Sequence, residues 1–274
     1  MRRGLRCVWA ALAGVAVLIG TGHVVRAQDA RAGSTVTPAK VMAADADPDW
    51  EVATVRPNAN GATRDLIHIS GRHVSLENET VAKMMLIGYG VQKDQVIGLP
   101  DWTRTAGWDI EGVTSVSGVP NLRQFQTMVR KILEERFGLV LHHEQRVMDV
   151  FALRVAKGGP KLPPATGGAD AFPDRVDRRS AGELDSRFKD TSMHDFVLMA
   201  LGAMDHPVVD ETGLTGKYDF ELKWADDDTN ATADVSTAPG LFTALQEQLG
   251  LKLEPVKAPA DVLVIDKVGR PGAN

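Results

Sequence analysis

Leu133-Glu134-Glu135-Arg136-Phe137-Gly138-Leu139-Val140-Leu141 is followed, after seven residues, by Asp149-Val150-Phe151-Ala152-Leu153. Leu245-Gln246-Glu247-Gln248-Leu249-Gly250-Leu251-Lys252-Leu253 is followed, after seven residues, by Asp261-Val262-Leu263-Val264-Ile265. The two stretches are 112 residues apart with no gap. Self-similarity at a fixed spacing sets the architecture before any other signal is read. In each stretch a helix with apolar spacing of three and four ends on a glycine, which turns the chain into a strand.

Working outward, Asp109-Ile110, Asp149-Val150, Asp219-Phe220 and Asp261-Val262 each open a strand. The spacing predicts helices near 80–89, 121–137, 193–204 and 239–249, and a hairpin over Ile67–Leu76 broken at Gly71. The expected fold is α+β, with two similar halves of two strand–helix–hairpin units each, duplicated at an offset of about 112 residues. The expected boundaries are a first half at 49–157, a linker or mobile loop at 158–184 and a second half at 185–268. An acidic loop at 225–236 interrupts the second half, and 269–274 form a tail. The core residues expected from the repeat are Leu133, Phe137, Leu139 and Leu141, with Leu245, Leu249, Leu251 and Leu253.

The N-terminus reads as a secretory signal peptide over 1–27. Arg2, Arg3 and Arg6 precede the apolar run Cys7–Gly20, and Val25-Arg26-Ala27 supplies small residues at a cleavage site. The run is about 14 residues, short of the ~20 that span a bilayer. Residues 28–48, rich in Ala, Asp, Thr and Pro, read as a disordered leader. Removing residues 1–27 removes Cys7, the only cysteine, and four of 31 basic residues, leaving 27 basic against 36 acidic, a net charge of −9. Such a chain has no thiol nucleophile and no Cys-ligated metal. Its acidity opposes nucleic-acid binding, which needs clustered Lys and Arg. An exported location, periplasmic or extracellular, follows, with no membrane span after cleavage.

Each catalytic-looking motif fails at a position its chemistry requires. Asp226–Asp234 spaces oxygens like a calcium loop, but Ala231 stands where Gly is needed and Thr237 where Glu is needed. It reads as a solvated acidic linker. His142 and Glu144 share a strand face, with no convergent third ligand. Ser186-Arg187-Phe188-Lys189 has the Ser-x-x-Lys spacing, but on a strand positions i and i+3 face opposite ways. In Val208-Val209-Asp210-Glu211-Thr212-Gly213, Glu211 interrupts an Asp-Thr-Gly run, and an Asx-type turn explains the segment. No metal or cofactor is expected. Trp102, in Pro100-Asp101-Trp102, reads either as a recognition residue or as a cap on the core. The binding residues expected are Asp101, Trp102, Asp210, Thr212 and Leu214, on two loops in corresponding units.

Several segments together carry a family resemblance. They are Glu51–Pro57, Gly98-Leu99-Pro100-Asp101-Trp102, Val155–Leu162, Val208–Phe220, and the ending from Leu251-Lys252-Leu253-Glu254-Pro255 through Val264-Ile265-Asp266. Over about residues 49–268 the chain resembles the soil-associated, acidobacteria-rich secreted family of unknown function. Members of that family are also found fused behind membrane proteins resembling zinc-peptidase antibiotic sensors. The resemblance therefore implies a receptor or sensor role, and it supplies no catalytic residues. A short helix feeding a hairpin is also similar in architecture to the small periplasmic domains of secretins and of signalling outer-membrane transporters. The reading is an exported envelope binding or sensing module, for a protein or small ligand. The alternative is a secreted hydrolase whose site the spacing does not reveal.

Overall fold

The structure, a computed structural model, describes residues 17–19, 41–59, 65–168, 171–180, 182–202, 204–225 and 238–272. In chain order its strands are β1 (Val17–Ile19), β2 (Trp50–Pro57), β3 (Leu66–Ser70), β4 (His73–Thr80), β5 (Val96–Ile97), β6 (Gly107–Thr114), β7 (Val140–Val155), β8 (Asp174–Ser180), β9 (Glu183–Ser192), β10 (Val208–Asp210), β11 (Lys217–Ala225) and β12 (Leu251–Lys267). The helices are α1 (Val81–Tyr89), α2 (Trp102–Thr105), α3 (Leu122–Phe137), α4 (Met193–Phe196) and α5 (Leu241–Ala244). π turns at Val197–Leu201 and Leu245–Leu249 continue α4 and α5. The mixture is α+β. Most of the acidic loop, 226–237, and most of the leader and signal segment lie outside the described residues.

Three sheets result, with strand orders β1-β3-β4-β6-β2, β10-β7-β12-β5 and β11-β9-β8. The middle sheet differs from the expected hairpins. Residues 139–155 and 251–267 do not turn back on themselves. Instead β7 and β12 run as continuous strands of 16 and 17 residues and pair with each other, antiparallel, over their whole length. Between His142 and Asp149 there is no Gly, Pro, Asn or Asp to make a tight turn. Pro255 and Pro259 have the same parity on β12, and beside them, among the described residues, β12 has β7 on one side only. Their missing N–H groups therefore take nothing from the ladder.

This crossing builds two lobes from interleaved chain. In the first lobe α1 and α3 pack Met84, Met85, Phe125, Met128, Ile132 and Leu133 onto Ile67, Ile69, Leu76 and Ile110 of its sheet, with Leu263 arriving from β12. In the second, Phe188, Phe196 and Phe220 form a ring cluster with centroids 4.8–5.3 Å apart, against Leu245, Leu249, Leu251 and Leu253, with Leu153 arriving from β7. Of the eight leucine and phenylalanine positions expected in the core, seven are buried, and Leu141 packs against the first core while half-buried.

Features recur at matching positions. Asn121 caps α3 in a reciprocal box with Gln124, and Gly138 ends it at φ 58; Gly250 ends the second-lobe helix at φ 66. Asn78 and Asp190, 112 apart, are the two described non-glycine residues at positive φ (55 and 49). Each donates its N–H to an aspartate Oδ1 at 2.9 Å, from Asp109 and Asp219 respectively. Thr80 and Ser192, again 112 apart, are the next helix caps. β5 lies parallel to β12 at Val96↔Leu263, and β10 lies parallel to β7 at Val208↔Phe151. The ladder pair Leu141↔Ile265 maps by the same offset onto Leu253↔Leu153, so the offset folds the ladder onto itself about Val147↔Pro259.

Besides β1, which pairs parallel with β3 from within the expected signal segment, two stretches outside the expected halves are structured. Met42 is buried, its N–H bonded to the Val119 carbonyl, so ordered chain begins before Trp50. The expected linker at 158–184 contains β8, and its Pro163–Ala165 portion bonds the outer edge of β11.

Candidate functional site

The two loops carrying the five expected binding residues are not brought together. The Asp101-Trp102 loop follows β5 and the Asp210–Leu214 loop follows β10, on opposite edges of the middle sheet. Three strand spacings across and eight residues along the ladder separate the two docking points, roughly 30 Å. Most of these residues have internal work. Asp210 Oδ1 accepts from Thr212 N and Oγ1 at 2.9 and 2.7 Å, the Asx turn anticipated from sequence. Thr212 Oγ1 accepts from Leu214 N at 3.1 Å, and Leu214 packs on the second core. Trp102 is half-buried on the first core, with the Arg270 guanidinium 5.4 Å from its ring centre. Asp101 is exposed at the start of α2.

A different signal comes from core-facing positions at which the matching lobes carry different chemistry. In the first lobe the β3–β4 pairs Ile67↔Leu76 and Ile69↔Val74 are apolar, each residue at most 1% exposed. The matching β8–β9 pairs are Arg175↔Phe188 and Asp177↔Ser186. Arg175 Nε donates to Asp177 Oδ1 at 2.7 Å, and Ser186 Oγ donates to the same oxygen at 2.6 Å. Arg175 also donates to the Met199 carbonyl in the helix above, and its guanidinium lies 5.6 Å from the Phe188 ring centre. Its side chain is 8% exposed and that of Asp177 25%. A charge set in a core slot costs desolvation that only full pairing offsets. Here it fixes β8 to the helix above it.

The outward face of the same strands is a shallow groove of about 180 Å³ lined by Asp174, Val176, Arg178, Asp185, Arg187 and Lys189. Across it, Arg187 pairs with Glu221 of β11 and Lys223 pairs with Asp185 at 3.2 Å. Val176 is half-exposed in its middle. β8 is an edge strand: among the described residues it pairs with β9 alone.

The second difference is Glu79, 1% exposed, where the other lobe has Thr191. Its Oε2 has no hydrogen-bond partner, and neither has Nε1 of Trp108, which stands opposite it across the β4–β6 pair. Burial, reinforced by the Asp65 charge and opposed by Lys83, pushes the Glu79 carboxyl up to about 7. Glu79 carries no signal in the sequence that sets it apart from a surface strand residue, and β8 falls in the stretch expected as linker. The offset itself could have found β8, because Asp174–Ser180 follows Leu66–Ser70 at nearly the repeat spacing.

Among the described residues the groups singled out for catalysis do not converge. His142 Nδ1 lies 3.0 Å from Asp266 and its Nε2 3.3 Å from Glu144, all exposed on the ladder. The hydrogen bonds to Asp266 and then Glu144 hold its pKa above the usual histidine value. Ser186 is fully buried while Lys189 lines the outer groove, so the Ser-x-x-Lys residues face opposite sides. Among the described residues no group of three or more His, Cys, Asp or Glu is placed to hold a metal, and no helix is long and apolar enough to cross a membrane.

No curated protein and no solved structure matches the chain. A family described as a protein of unknown function, DUF3738, matches residues 82–268, which takes in α1, the crossed β7–β12 ladder, the ionic cluster of β8 and the outer groove. The chain belongs to this DUF3738 family.

Proposed function

We propose that this protein is an exported, non-catalytic binding or sensing module of the cell envelope, and that its two lobes descend from one duplicated unit. The signal-like N-terminus and the loss of Cys7 with it support export. The matching caps, positive-φ residues and strand pairings support common descent. The observation that carries the binding reading is β8. Among the described residues it is an open strand edge, clamped from beneath by Arg175 and Asp177 and flanked by a charged groove. An open edge offers main-chain hydrogen bonds to an added strand, with flanking side chains choosing the sequence. Within the groove Arg187 and Asp185 are neutralised by Glu221 and Lys223, which leaves Arg178 and Lys189 against Asp174. The partner is therefore an extended polypeptide segment with an acidic residue facing Arg178. The surface loops at Asp101-Trp102 and Asp210–Leu214 serve as core cap and turn.

Peptide-display selection on the full chain tests this. Selected peptides should be acidic, should bind without being cleaved, and should lose binding when Arg178→Glu and Lys189→Glu are combined. Binders indifferent to that charge reversal would move the site elsewhere. Cleavage of selected peptides would support a hydrolase instead.

A further inference from the structure

The first turn of α1 carries a lysine where the matching turn carries an acid. Lys83 and Asp195 both occupy the third helical position, 112 residues apart. Asp195 closes a capping box with Ser192, the arrangement a helix N-terminus favours. Lys83 does the reverse: its charge opposes the helix dipole, and it reaches across to Asp65, Nζ to Oδ1 2.8 Å, just ahead of β3. Two acids act on this cation. Asp65 is bonded to it. Glu79, one residue before the Thr80 cap, is buried within reach of its charge and has an oxygen with no hydrogen-bond partner.

We propose that Asp65, Glu79 and Lys83 form a proton-operated latch between the start of β3 and α1. With Glu79 neutral, Lys83 belongs to Asp65 and ties β3 to the helix. With Glu79 ionised, two carboxylates compete for one ammonium, and the buried one, shielded from solvent, draws it away from Asp65. The Asp65 tie then loosens. The geometry locates the effect: Glu79 sits at the bulge where the β4–β6 register shifts between Leu76 and Glu79, at the junction of strand and helix. The charges acting on it are Asp65, from the start of β3, and Lys83, from α1. β6 places uncharged Trp108 opposite it, and Asp109 beyond is engaged by Asn78 N and Asn58 Nδ2. The one charged residue of α2 is Arg104. The second lobe lacks the device, because Thr191 replaces Glu79 and bonds the Lys189 carbonyl.

Hydrogen exchange of the full chain between pH 5 and 9, corrected for intrinsic rates, reads the tie. Protection of Leu66–Ser70 should fall about tenfold or more, the equivalent of one pKa unit of coupling, as pH rises through 7, while the matching strand β8 stays flat. Glu79→Gln should abolish the step. Carbon-13 titration of the Glu79 carboxyl provides a reading that does not depend on that variant folding. Its midpoint should lie near 7 in the wild type, fall in Asp65→Asn and rise in Lys83→Met. A Glu79 midpoint at an ordinary carboxyl value, or a Leu66–Ser70 step that survives Glu79→Gln, would overturn the latch.

Discussion

Replacing Arg175 by Ile should destabilise the protein, and completing the replacement should restore it. Ile67, Ile69 and Val74 show what the same slot accepts when it is apolar. The single change Arg175→Ile leaves Asp177 without its cation and removes a donor from the Met199 carbonyl. Breaking a buried pair from one side costs about 3–5 kcal/mol. Asp177 stays partly open to solvent, which brings this case below that range, to about 1–3 kcal/mol. The triple variant Arg175→Ile, Asp177→Ile, Ser186→Val recreates the first-lobe set. Apolar replacement of a whole ionic cluster ranges from neutral to about 4 kcal/mol stabilising. Urea unfolding followed by tryptophan fluorescence measures both, since Trp224 packs in the same core. The triple variant should regain at least the stability lost in the single one. A single variant within about 0.5 kcal/mol of wild type, the range of an ordinary surface change, would show that the cluster is not a buried clamp. A triple variant no better than the single would show that the two slots are not equivalent.

Three further outcomes are expected. Folding raises the Glu79 pKa from 4.5 to about 7, so the folded state holds the extra proton between these values and stability falls as pH rises through that window. The full penalty above pH 7 is about 3 kcal/mol, and Glu79→Gln should remove most of it at pH 8 while changing little at pH 4.5; equal slopes in both proteins would refute the assignment. Leu245→Ala, at a fully buried position, should cost roughly 2–5 kcal/mol in a denaturant melt, and an unchanged midpoint would mean a misplaced helix face. Val147→Cys with Pro259→Cys should oxidise to an intramolecular disulfide, because the two positions are ladder partners; failure to cross-link would argue for separate hairpins.

Local features were readable because local chemistry makes them. Asn121 and Gly138 bracket α3 with a side-chain acceptor and a left-handed stop, and the apolar spacing between them decides the buried face. The Asp210–Thr212 turn is likewise a two-residue matter. The exchange of β7 and β12 was not readable, because a strand's partner is a long-range choice. Leu139–Leu141 followed by Asp149–Leu153 is equally compatible with a hairpin and with one long strand. β8 escaped because its inward positions carry Arg175 and Asp177, so the strand lacks the apolar alternation that marks its first-lobe counterpart. Glu79 escaped because a lone glutamate in a strand reads as surface until burial shows otherwise. Both sites lie where one lobe departs from the other, and each departure is visible only once pairing is known.

The binding account is tested most directly by site-specific photocrosslinking in intact cells of the native host. A photoreactive residue at Val176, in the middle of the β8 groove, should give one discrete envelope-protein adduct. That adduct should disappear when Arg178→Glu and Lys189→Glu are added. Val147, 72% exposed at the centre of the β7–β12 ladder, is the matched control and should give none. No adduct from Val176, or an equal one from Val147, would contradict the claim that β8 is the recognition edge.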